Sequence, residues 1–61
     1  MARERILIID GDITLSEVLR TRLKDMGYLV DCARRGSEAL DILKDRWVDL
    51  IILAVVLQGG M

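Results

Sequence analysis

Two carboxylates on either side of one glycine, Asp10-Gly11-Asp12, are the most chemically capable group in the chain. They directly follow the apolar run Ile6-Leu7-Ile8-Ile9. In a parallel α/β sheet, ligands and reactions gather beyond the carboxyl ends of the strands. An acid pair placed there can hold Mg²⁺, a hard cation that takes oxygen ligands. A plainer use competes, in which Asp12 caps the next helix and Asp10 ends its strand in solvent. On these residues alone the plainer use is preferred. A second candidate segment runs from Ala54 to Gly60, at and after a later apolar run. Its Gly59-Gly60 pair can form a backbone nest for an anion, but a simple glycine tail is the preferred reading.

The remaining chemistry is sparse. Cys32 is the single cysteine and histidine is absent, so neither an internal disulfide nor a Cys/His zinc site can form. Cys32 therefore reads as a small packed hydrophobe and Trp47 as a lid on the second helix. No phosphate-binding glycine loop, dinucleotide fingerprint or hydrolytic triad is present. Nine basic against ten acidic residues give a net charge of −1, so no nucleic-acid partner is expected. Arg34-Arg35, the only mid-chain basic pair, reads as a solvated turn. The longest apolar run has eight residues, well below the about 20 that cross a bilayer, so no membrane partner is expected either. Arg3, Glu4 and Arg5 lead straight into a short strand with no signal-peptide core. A reduced, cytoplasmic setting is expected.

The hydropathy pattern supplies the elements that hold these groups. Strands are predicted over about 5–10, 28–33 and 50–57, and helices over about 13–26 and 37–47, in a single domain 1–61. In the first helix Leu15, Val18, Leu19, Leu23 and Met26 fall at helical spacing. Asp12 can cap it, Thr14-Leu15-Ser16-Glu17 offers an alternative capping box, and Gly27 supplies the left-handed stop. Ser37 is the expected cap of the second helix, whose shared face is Ala39, Leu40, Leu43 and Trp47. The order is β-α-β-α-β with short connections, for which parallel strands and right-handed crossovers are the default. The middle strand is more polar and belongs at a sheet edge.

The third strand, Leu50-Ile51-Ile52-Leu53-Ala54-Val55-Val56-Leu57, sets the expectation for assembly. A continuous apolar run marks a strand buried on both faces, yet nothing downstream in these 61 residues can cover it. Surface scaling for a chain this size buries about 6,000 Å². If about 60% of that is apolar, burial contributes roughly 90 kcal/mol. Ordering the chain costs about the same, roughly 90 kcal/mol. With the balance near zero, a partner is expected.

Taken in order, Ile6-Leu7-Ile8-Ile9-Asp10, the helix from Thr14 to Met26, Gly27-Tyr28, Ala33-Arg34-Arg35-Gly36, Glu38-Ala39-Leu40 and Asp49-Leu50-Ile51-Ile52-Leu53 resemble the receiver domain of bacterial two-component response regulators. The resemblance spans essentially the whole chain and covers the first half of that domain. It implies an α/β fold, the β-α-β-α-β half of a flavodoxin-like doubly wound parallel sheet with strand order 2-1-3. It also implies phosphorelay signalling, in which a histidine kinase passes a phosphoryl group to an aspartate at the end of strand three with Mg²⁺ bound nearby.

Carried over residue by residue, the resemblance makes Asp10 the first metal-binding acid and places Gly11 where the second, direct ligand belongs. Asp12 is a nearby third carboxylate, Ala54 occupies the phosphoacceptor position, and Val56 supplies the metal-binding backbone carbonyl. Alanine has no nucleophilic oxygen, so no acyl phosphate can form at position 54. With glycine at 11, Mg²⁺ held by Asp10, Asp12 and the Val56 carbonyl is expected to be weak at best, and no resident cofactor is expected. The lost acids also have a stability reading: a like-charged pair at about 4 Å costs roughly 4 kcal/mol at an effective dielectric of 20. The leading expectation is a phosphorylation-incompetent interaction module, not an enzyme. It would form a homodimer edge to edge through Leu50, Ile51, Ile52, Leu53, Val55, Val56 and Leu57. A fragment of an active Mg²⁺-dependent receiver that needs its missing half is the alternative. Docking on an intact receiver or a histidine kinase is a further expected mode.

Overall fold

The structure, a computed structural model, describes residues 3–53. Three strands and two helices alternate: β1 Arg5–Ile9, α1 Ile13–Asp25, β2 Leu29–Ala33, α2 Gly36–Asp45 and β3 Leu50–Leu53. The sheet is parallel, as the sequence pattern predicts, and has the order β2-β1-β3 that the receiver resemblance implies. β1 is the central strand because its four apolar residues can be covered on both faces. Leu7 and Ile8 are fully buried, and Ile6 is nearly so.

Side chains alternate across a strand, and the two helices divide the faces accordingly. Leu7 and Ile9 point toward α2, packing with Ala33, Ala39, Ile42 and Val48. Ile6 and Ile8 point the other way, and their register partners Val30 and Cys32 share that face with α1. Burying a residue such as Leu7 or Ile8 contributes about 1.5–3 kcal/mol, so this central strand anchors the fold.

Both ends of α1 are built by local chemistry. The Asp12 carboxylate accepts the Leu15 N–H at 3.1 Å, so Asp12 is the cap and the alternative box beginning at Thr14 is not used. At the other end Gly27 adopts φ 99°, its N–H bonds the Lys24 carbonyl, and the Tyr28 N–H reaches the Leu23 carbonyl. This pair of bonds closes a Schellman turn, which only glycine enters without strain.

Several sequence expectations are corrected. The second helix begins at Gly36 and ends at Asp45, so Trp47 lies beyond it. Its cap position is Arg35, which makes no side-chain cap bond, and Ser37 lies inside the first turn. The buried face is Ala39 with Ile42, whereas Leu40 and Trp47 are 60% and 80% exposed. Small Ala39 lets the helix approach the sheet closely, and that approach selects its rotation. In α1 the inward residues are Ser16 with half-buried Leu19 and Leu23, while Leu15, Val18 and Met26 stay exposed.

The third strand also departs from expectation. Among the described residues β3 contacts only β1, and both helices pack over β1 and β2. Leu50, Ile51 and Leu53 are therefore about half exposed, at 52%, 47% and 63%. Their apolar character reports a covering that these 51 residues (3–53) do not supply. The remaining positions predicted for this strand, Ala54 to Leu57, lie outside the described residues, as do Gly59 and Gly60.

Candidate functional site at the carboxyl end of the sheet

β1 delivers Asp10 to the carboxyl end of the sheet, where its N–H donates to the Ala33 carbonyl at 2.9 Å. The residue is only 3% exposed. One carboxylate oxygen, Oδ1, accepts the Asp12 N–H at 2.9 Å. The other, Oδ2, is buried and has no hydrogen-bond partner among the described residues. Asp10 is thus not the solvated strand end of the plainer reading. It is a buried acid with half its accepting capacity unmet, an arrangement that costs stability unless something completes it.

Asp12 behaves differently. It is exposed and its Oδ1 is spent on the cap of α1, while its carbonyl accepts the Ser16 N–H at 3.0 Å. The two acids therefore form a relay: Asp10 orients the turn through Asp12 N–H, and Asp12 starts the helix. Sequence reasoning offered cap or metal pair as alternatives, and the geometry gives each acid a different task.

Gly11 lies between them with no backbone demand for glycine. Its φ is not positive, and a Cβ added there would meet only the Arg34 carbonyl oxygen at 3.9 Å, an ordinary contact. The β2–α2 turn, beginning at Arg34, consequently borders this site. An acidic side chain at position 11 fits sterically.

Asp10 Oδ2 suits one bond to a hard cation, being buried and unpartnered. Mg²⁺, however, takes near-ideal octahedral oxygen coordination. Among the described residues no group of three or more His, Cys, Asp or Glu side chains could hold a metal ion. The positions expected to add Ala54 and the Val56 carbonyl lie outside the described residues.

Two other predicted groups fall elsewhere. Cys32 is half-buried on β2 opposite Ile8. Burial pushes its thiol up from the ordinary value, partly offset by the Arg20 guanidinium, so it is a poor nucleophile. Trp47 is no helix lid: its Nε1–H donates to Asp49 Oδ1 at 3.0 Å.

At the amino ends of the strands lies a cluster that sequence reasoning missed. The Arg5 N–H donates to Asp49 Oδ2 at 2.8 Å, and the Asp49 N–H donates back to the Arg5 carbonyl at 2.8 Å. The bond from the Arg5 N–H, then that from Trp47, holds the Asp49 carboxyl below its ordinary range. Nearby, Asp31 bridges Arg5 at 3.0 Å and Arg46 at 3.1 Å, joining β1, β2 and the end of α2. Partly exposed pairs of this kind contribute modestly. The signal available in sequence was an acid placed just before an apolar strand, but its partner lies 44 residues away.

No helix among the described residues is long and apolar enough to cross a membrane. No solved structure gives a significant match to the chain. Relatives are found among curated proteins. The chain is 39% identical over 57 residues to a probable transcriptional regulator ycf27 of Porphyridium aerugineum, covering 93% of this chain and 24% of that protein. Proteins of the same name from Porphyra purpurea and Guillardia theta are 36% and 34% identical over 55 residues, in each case 90% of this chain. The chain spans less than a quarter of the length of these relatives, between 22% and 24%. The family described as the response regulator receiver domain matches residues 6–61. With a parallel 2-1-3 sheet and a buried acid at the end of its first strand, the chain belongs to the response regulator receiver family.

Proposed function

We propose that this chain is a receiver segment that does not take a phosphoryl group at its own strand-three position, and that it works by contact rather than by chemistry. The observation that carries this reading is Ala54. Leu53 is the register partner of Ile9, and the residues that follow them in sequence are Asp10 and Ala54. A carboxylate oxygen is needed there to form an acyl phosphate, and alanine offers none. Gly11 removes a second acid, so Mg²⁺ binding, general among receivers, is weak here. The segment is not an enzyme. In a longer protein of the kind its relatives are named for, transcriptional regulators, it supplies the signal-receiving side.

Acetyl phosphate with Mg²⁺, followed by intact-mass measurement, tests this. The expected spectrum shows no adduct of about 80 Da, and an adduct on the unmodified chain overturns the reading. The double variant Ala54→Asp with Gly11→Asp is the companion experiment, since the contact at position 11 leaves room for an acid.

The state of β3 favours a second copy of the same chain as partner of the 61-residue polypeptide. Leu50, Ile51 and Leu53 are about half exposed, and β3 has no second strand beside it among the described residues. An uncharged apolar edge is a template for pairing. A two-fold axis through Ile52 would set Ile51 beside the partner's Leu53 in a six-stranded sheet. Covering the exposed half of three such side chains contributes about 3 kcal/mol per chain. Roughly four new ladder bonds add about 1 kcal/mol each. Against an association cost of at least about 4 kcal/mol, the balance of about −6 kcal/mol corresponds to dissociation in the tens of micromolar. Sedimentation between about 5 and 500 μM is expected to cross from monomer to dimer. A folded monomer throughout refutes the pairing.

A further inference from the structure

We draw no further inference here: the strongest candidate, the exposed apolar flank of α1 formed by Leu15, Val18 and Met26, carries nothing because nothing in the structure shows what covers it.

Discussion

Replacing Asp10 by Asn separates what this acid does for the fold from what it retains for a ligand. In the native chain Oδ1 accepts the Asp12 N–H at 2.9 Å while Oδ2 is buried with no partner among the described residues. Leaving a buried polar group unsatisfied costs about 1–3 kcal/mol, and more for a charged one. Asparagine keeps the accepting oxygen and exchanges the orphaned carboxylate oxygen for a neutral amide group, which is cheaper to bury. It also weakens the bond to Asp12 from charge-assisted to neutral, a loss of about 1 kcal/mol. The desolvation term is the larger, so the variant is expected to be more stable by about 1 kcal/mol. For a domain this small, that raises the thermal midpoint by about 4–8 °C. The assay is far-UV circular dichroism at pH 7 in EDTA, with both proteins at one fixed concentration so that association does not shift the comparison. Adding 10 mM Mg²⁺ discriminates further. A cation bound with a dissociation constant of about 10 mM stabilises the native chain by only about 0.4 kcal/mol, too little to close the gap. A fall in midpoint of several degrees on Asp10→Asn refutes the reasoning, because it means the carboxylate is net stabilising where it lies. So does a Mg²⁺ response that overtakes the variant, which requires far tighter coordination than these donors provide.

Two other perturbations test the rest of the framework. Asp49 has a carboxyl held low by the Arg5 N–H and the Trp47 indole, so its contribution is present above the unfolded-state value and is lost as pH falls through the folded-state value. Thermal midpoints of wild type and Asp49→Asn, measured from pH 6 down to pH 2, should therefore differ at the neutral end and converge at the acid end; parallel curves across the range contradict the assignment. At Gly27, where φ is 99° and a Cβ would have no neighbour within 4 Å, Gly27→Ala carries a backbone cost without a clash. A loss of about 1–2 kcal/mol is expected as a lower urea midpoint at constant slope, and an unchanged midpoint would show that the Schellman turn is not needed to end α1.

The features legible in the sequence are those made by residues close together in the chain. Asp12 could be named as a helix cap because its acceptor lies three residues from the Leu15 N–H it serves. Gly27 could be named as the stop because the turn it enters closes within five residues, from Leu23 to Tyr28. The parallel pairing followed from three apolar runs separated by two helices, and the 2-1-3 order from the family resemblance alone. Where long-range packing chose between local options, the sequence reading went astray. Of the expected stripe Ala39, Leu40, Leu43 and Trp47, only Ala39 faces the sheet, joined there by Ile42, while Leu40, Leu43 and Trp47 stay exposed.

By itself, then, the sequence determined the alternation of strands and helices, the glycine that stops α1 and the likeness to receivers, all of which depend on residue type and short spacing. Only the tertiary structure decided that Asp10 is buried with one oxygen unmet, that Asp49 and Arg5 clasp the amino ends of β3 and β1, and that β3 remains half exposed. Each of these is set by which groups meet across tens of residues of chain, and hydropathy records whether a side chain favours burial without recording which neighbour provides it.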